Sequence, residues 1–78
     1  MTPIELERIL KDMYENAPKG ESTTMIRLFG IKYANELNEC GVSMTVIAKN
    51  SVGSSYQTEI RKGINLAKYV QLKDSHYS

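Results

Sequence analysis

The residues best suited to bind a ligand lie in one short stretch, SSYQTEIRKG, at positions 54–63. Tyr56 and Ile60 are four residues apart, which places both on one face of a helix, and hydroxyl, amide and guanidinium groups occupy other positions of the stretch. On a helix that enters the major groove, glutamine suits adenine and arginine suits guanine, while serine, threonine and lysine hold bases or phosphates. We therefore expect this polar face to bind double-stranded DNA. The expected contacts are Ser54, Ser55, Gln57, Thr58, Arg61, Lys62, Asn65, Lys49 and Lys68.

Two features of this face have a second interpretation. Glu59 could accept a hydrogen bond from cytosine, but we favour the interpretation that it is a solvated flank of the helix. The spacing of Arg61, Asn65 and Lys68 is also typical of any helix face in water. Contact with DNA is therefore a separate hypothesis for each of these residues.

The charge distribution favours a phosphate-bearing partner for the second half of the chain. Residues 1–39 hold five Lys or Arg against seven Asp or Glu, a net charge of −2. Residues 40–78 hold five bases against two acids, a net charge of +3. A small domain that approaches DNA needs such an asymmetry, because one of its surfaces must attract phosphates.

Length and composition are typical of one soluble globular domain. Of the 78 residues 41% are hydrophobic and 24% charged, and no apolar run reaches the roughly 18 to 20 residues of a membrane span. We assign residues 1–72 to the domain and expect residues 73–78 to be a frayed tail. The first residues, MTPIELERIL, do not have the pattern of an export signal, so we expect a cytoplasmic protein with no membrane partner.

Catalytic and metal chemistry are not expected. Cys40 is the only cysteine and His76 the only histidine; we expect Cys40 to pack near a helix end and His76 to lie in the tail. The sequence has no combination of nucleophile, base and acid, no metal-ligand spacing and no glycine-rich phosphate loop. We therefore predict no enzyme, no catalytic residue, no metal site, no cofactor and no small-molecule ligand.

The first helix has a well-defined predicted start. Thr2 can cap it, Pro3 suits the first helical position, and Glu5 can complete a capping box. The segment NAPKGES then ends it.

A second helix is predicted over TMIRLFGIKYANELNEC, with Ser22, Thr23 or Thr24 as its cap. Gly30 lowers the stability of a helix interior, which is easier to understand if another helix packs closely there. The β-rich run MIRLFGIKY could instead form a strand, although the helical period continues beyond it and no second strand is available for pairing.

The second half of the chain predicts a short helix, a glycine turn and a longer helix. Ser43 is the expected cap of the short helix, and the turn is expected at 52–53. The last helix is expected from residue 54 or 55 to about 71, with one buried side. This order predicts an all-α fold, a compact four-helix domain that contains a helix-turn-helix. The expected buried side consists of Tyr56, Ile60, Ile64, Ala67 and Val70.

The segment VSMTVIAKNSVGSSYQTEIRKG resembles the helix-turn-helix of bacterial repressors, with Ile47 and Ala48 before a glycine turn at Gly53. The tetrapeptide SYQT at 55–58 is similar to the recognition-helix start of lactose-repressor-type proteins. More widely, the runs LKDMYENAPKGE, MIRLFGIKYANEL and TEIRKGINLAKYV resemble small bacterial helix-turn-helix-like DNA-binding proteins. The resemblance implies a compact helical domain that stands alone and binds nucleic acid, such as a small bacterial or prophage transcriptional regulator.

The resemblance leaves the register of the recognition helix open. In the common pattern the glycine follows the alanine one position sooner than Gly53 follows Ala48. Either the turn is one residue longer, or the preceding helix runs on.

The alternative function is a protein-interaction or oligomerisation module that has a helix-turn-helix-like shape and does not bind DNA. Its expected surface is an exposed apolar patch, and a homodimer would use the same patch. The residues expected there are Met25, Leu28, Tyr69 and Leu72.

Overall fold

The computed structural model describes residues 1–72, which form five α-helices and one 3₁₀ turn. The predicted all-α class is confirmed, and the strand alternative is wrong, because no strand occurs in the described residues. None of the described helices is long and apolar enough to cross a membrane. The predicted tail, with His76, lies outside the described residues, and the domain boundary at residue 72 stays a prediction. The helices are α1 (Pro3–Glu15), α2 (Ser22–Lys32), α3 (Ala34–Glu39), α4 (Met44–Lys49) and α5 (Gln57–Leu66), and the 3₁₀ turn is Ser54–Tyr56.

α1 begins as the sequence predicts. The hydroxyl oxygen of Thr2 accepts a hydrogen bond from the backbone N–H of Glu5 at 3.2 Å, and the backbone N–H of Thr2 donates to Glu5 Oε1 at 2.8 Å. Each bond satisfies a backbone N–H group that the first helical turn leaves without a partner. Leu6 and Leu10, one turn apart, are fully buried. The cap fixes where α1 begins, and the stripe that contains Leu6 and Leu10 faces the core.

The predicted second helix is divided into α2 and α3. The N-cap position of α2 is Glu21, and none of the three predicted residues caps the helix with its side chain. The backbone leaves helical geometry at Tyr33, which has φ −110° and ψ 23°, and α3 starts at the next residue. This bend returns Leu37 of α3 to the core that contains Phe29 of α2. Two short helices thus bury apolar residues that we expected on one long helix.

α2 and α5 cross at a contact between two glycines. A Cβ atom added to Gly30 would lie 2.5 Å from the carbonyl oxygen of Ile60 and 2.9 Å from the Cα atom of Gly63. A Cβ atom added to Gly63 would collide with the carbonyl oxygen of Arg27. Only residues without a side chain allow the two backbones to approach so closely. The close packing predicted at Gly30 is therefore confirmed, and Gly63 is its partner.

α5 ends at Leu66 and is therefore shorter than the predicted helix, which was expected to reach about residue 71. The backbone N–H groups of Lys68 and Tyr69 donate to the carbonyl oxygens three residues before them. Such tight hydrogen bonding changes the rotation per residue, so the following side chains leave the buried face of the helix. Val70 is 48% exposed, and its predicted burial is wrong. The other residues of the predicted buried side are partly or fully buried: Tyr56, Ile60, Ile64 and Ala67.

Candidate nucleic-acid interface

Hydrogen bonds fix both ends of α4. At its start, Ser43 Oγ accepts from a backbone N–H group of the first turn at 3.3 Å, so the predicted cap is confirmed. At its end, the carbonyl oxygen of Ala48 accepts from the N–H groups of Ser51, Val52 and Gly53 at 3.1, 2.9 and 2.7 Å. Three donors converge on one oxygen, which holds the turn tightly against the end of α4.

This turn decides between the two alternatives that the sequence leaves open, a longer turn or a longer preceding helix. α4 ends at Lys49, so it does not run on, and the longer turn occupies residues 50–53. Gly53 closes the turn with φ +125°, a conformation that other residues rarely adopt. The helix predicted to be the recognition helix therefore begins with the 3₁₀ turn and continues as α5 from Gln57.

Tyr56 links the 3₁₀ turn before α5 to α1. Its ring packs edge-on against the ring of Tyr14, with centroids 5.5 Å apart, and the two hydroxyl oxygens are 3.3 Å apart. This hydrogen bond raises the pKa of Tyr14, because it stabilises the neutral hydroxyl. Tyr56 therefore packs against the core as predicted, while the preceding Ser54 and Ser55 are exposed.

Gln57 is partly buried and linked to α4. Thr45 Oγ1 donates a hydrogen bond to Gln57 Oε1 at 2.6 Å. A glutamine amide has two N–H donors and two acceptor lone pairs, so this bond orients the amide and does not exhaust its capacity. The amide of Gln57 is thus already oriented and keeps free hydrogen-bonding groups for a ligand.

The remaining predicted contacts are exposed and fall into separate groups. Thr58 and Arg61 lie in the first two turns of α5. Lys62 and Asn65 line a shallow depression of about 300 Å³ between α5 and α2. The other two lysines lie outside this depression: Lys49 at the end of α4, and Lys68 beyond the end of α5.

Glu59 forms ion pairs, so its interpretation as a solvated flank is wrong. Its Oε1 atom accepts from Arg27 Nε of α2 at 2.7 Å, and its Oε2 atom lies 3.6 Å from Lys62 Nζ. The hydrogen bond from Arg27 is the main cause of a lowered pKa at Glu59, and the positive charges of Arg27 and Lys62 lower the pKa further. The carboxylate is therefore charged at neutral pH, and it leaves the three groups with one net positive charge.

A comparison with protein families identifies the family of the chain. A family model described as an HTH-like domain matches residues 2–73. The chain belongs to the HTH-like domain family. This match supports a helix-turn-helix-like family, whereas the resemblance of residues 55–58 to lactose-repressor-type proteins stays a prediction. No curated protein and no solved structure matched the chain.

Sequence reasoning misses two residues that contact the candidate interface, Arg27 and Thr45. Arg27 is 32 positions from Glu59, and nothing in the local pattern of α2 indicates that it reaches α5. Thr45 is 12 positions from Gln57. Its place after the Ser43 cap puts it in the first turn of α4, but no signal in the local sequence indicates that it contacts Gln57.

Other side chains of the HTH-like domain have structural roles. Cys40 ends α3 and its thiol donates to the carbonyl oxygen of Leu37 at 3.2 Å, so the predicted packing near a helix end is confirmed. Within residues 1–72, no three His, Cys, Asp or Glu side chains are grouped so that they could hold a metal ion. The predicted lack of enzymatic activity stays a prediction.

Proposed function

We propose that this HTH-like domain binds double-stranded DNA and acts as a small bacterial or prophage transcriptional regulator. One observation carries the proposal. The exposed face of α5 has two basic residues, Arg61 and Lys62, while Glu59, the only acid of α5, is held by Arg27 of α2. A helix that approaches phosphates benefits from such an arrangement, because its one negative charge is neutralised within the protein.

The start of the recognition helix supports contact with base edges. Gln57 and Arg61 lie four residues apart in the first two turns of α5, the part of a recognition helix that reaches into the major groove. Gln57 has the donor and acceptor that match adenine, and Arg61 has the donors that match guanine. Ser54, Ser55 and Thr58 are exposed beside them and can donate hydrogen bonds to phosphates or bases.

Fluorescence anisotropy of labelled mixed-sequence duplexes tests this proposal. The affinity should fall steeply as salt rises, with a logarithmic slope of about −0.9 for each phosphate that the protein neutralises. A protein that leaves the anisotropy unchanged at high micromolar concentration and low salt would contradict DNA binding.

A second candidate function is association through an apolar surface, and exposed residues after α5 favour it. Tyr69 is 79% exposed, and Leu66 and Val70 are also exposed. Of the patch expected from the sequence, only Tyr69 is fully exposed; Met25, Leu28 and Leu72 are partly buried. A second copy of the chain could cover this surface, as in repressors that read two half-sites. Light scattering tests this candidate, which predicts a dimer that Tyr69→Ser weakens; a monomer at all concentrations would contradict it.

A further inference from the structure

We propose that the depression between α2 and α5 binds a backbone phosphate of DNA, and that Arg27 of α2 is its principal ligand. This inference rests on the proposed function. It adds to the helix-turn-helix a contact from a helix outside that motif. The depression is lined by Arg27, Lys62, Asn65 and Leu66.

The glycine crossing explains how a residue of α2 reaches the recognition helix. Gly63 of α5 lies against the backbone of Arg27, and Gly30 lies against the backbone of Ile60 and Gly63. Because no side chain separates the two helices there, Arg27 extends beside the outer face of α5 and meets Glu59 one turn before Gly63.

The side chains around the depression can hold a phosphate. Arg27 uses its Nε atom for Glu59, and a guanidinium has four further N–H groups on its two terminal nitrogens. Lys62 Nζ is 3.6 Å from the same carboxylate, a long contact that an incoming phosphate can readily replace. The side chains of Arg27 and Lys62 are 46% and 53% exposed, so both remain accessible to a ligand. Asn65 can donate a further hydrogen bond through its amide.

The position of the depression favours a phosphate over a base. The residues suited to base edges, Gln57 and Arg61, lie in the first two turns of α5, whereas Asn65 and Leu66 lie in its last turn. When the start of a recognition helix is in the groove, its later turns and the neighbouring helices run beside the DNA backbone. Leu66 offers an apolar wall, which suits the sugar next to a phosphate.

Salt-dependent DNA binding of three full-length variants tests the inference. Arg27→Gln removes the proposed ligand, and Arg8→Gln removes the same charge from the exposed surface of α1. We expect Arg27→Gln to weaken binding roughly fivefold to tenfold at about 0.1 M salt and to reduce the salt slope by about 0.9, because one phosphate contact is lost. Arg8→Gln should change the affinity less than about twofold, since Arg8 does not line the depression and salt screens exposed charges.

Glu59→Gln should change the DNA affinity in the direction opposite to Arg27→Gln. It releases the charges of Arg27 and Lys62 while keeping a side chain that can accept a hydrogen bond from Arg27. Binding should become several-fold tighter, and this result also supports the inference if Arg27→Gln does not fold. Equal losses for Arg27→Gln and Arg8→Gln, or weaker binding by Glu59→Gln, would overturn the phosphate site while leaving DNA binding intact. No binding by the unaltered chain would overturn both proposals.

Discussion

Gly30 of α2 and Gly63 of α5 face each other so closely that a Cβ atom on either would lie 2.9 Å from the Cα atom of the other. Neither glycine has a positive φ, so the contact itself, rather than backbone conformation, requires a residue without a side chain. Phe29 and Ile60 belong to the same buried core cluster, one on each of the two helices. Their separation also determines whether Arg27 can reach Glu59. Packing of the core and construction of the candidate interface therefore depend on the same contact.

Alanine at position 63 tests this contact. In an exposed helix interior, Gly→Ala usually stabilises a protein by up to about 1 kcal/mol. Gly63→Ala should instead destabilise the fold by about 1 to 3 kcal/mol or more, because its methyl group meets the backbone of α2, which cannot move aside cheaply. Urea denaturation followed by circular dichroism measures the free energy of unfolding. Thr58→Ala, an exposed change in the same helix, is the matched control and should be neutral or slightly stabilising.

Arg61→Ala should affect sequence preference more than overall affinity. If Arg61 contacts guanine, the variant should lose roughly 1 to 3 kcal/mol on a duplex selected from a random pool and much less on unselected duplexes. Competition binding with the two kinds of duplex measures the difference. Equal losses on all sequences would reassign Arg61 to a phosphate contact.

Thr45→Val should weaken DNA binding only through its effect on Gln57. The hydroxyl of Thr45 fixes the amide of Gln57 at 2.6 Å, so its removal should cost about 1 kcal/mol of binding to a selected duplex. In a chain that already carries Gln57→Ala, the same change should have no further effect, and a double-mutant cycle measures this coupling. Additive losses from the two changes would show that Thr45 does not position Gln57.

The ion pair of Glu59 predicts a pH dependence of stability. The pKa of Glu59 is lowered below its ordinary value of about 4.5 by Arg27, so the folded state binds its proton less readily than the unfolded state. The resulting stabilisation is present above that value and is lost as the pH falls through the lowered pKa. The unaltered chain should therefore be more stable than Glu59→Gln at neutral pH, and the difference should shrink in acid. Thermal melts of both proteins from pH 7 to about pH 3 measure it; a constant difference would contradict the role of the charge.

Local signals in the sequence predict most of the fold. The capping box of Thr2 and Glu5 and the cap at Ser43 are formed by residues three positions apart, and both occur as expected. Gly30 indicates a close helix contact, and the buried Ile60 follows from helical spacing. Such features depend on neighbours in the chain, which a sequence pattern contains directly.

Contacts between distant segments could not be predicted in this way. Arg27 pairs with Glu59 across 32 positions, and Tyr14 contacts Tyr56 across 42. The end of α5 also depends on hydrogen bonding that tightens after Leu66, whereas apolar spacing alone continues as far as Val70. The polar face was therefore predicted as a set of residues on one helix, whereas its electrostatics depend on α2 and its orientation on α1 and α4.

A titration of isotope-labelled protein with a duplex, followed through backbone amide signals in low salt, shows which residues contact DNA. If the recognition helix binds DNA, the largest changes should occur at residues 54–62, and smaller ones near Arg27 and Thr45. Increasing salt should reverse them. No changes, or changes confined to α1 or to the exposed Tyr69 and Val70, would contradict DNA binding by the recognition helix.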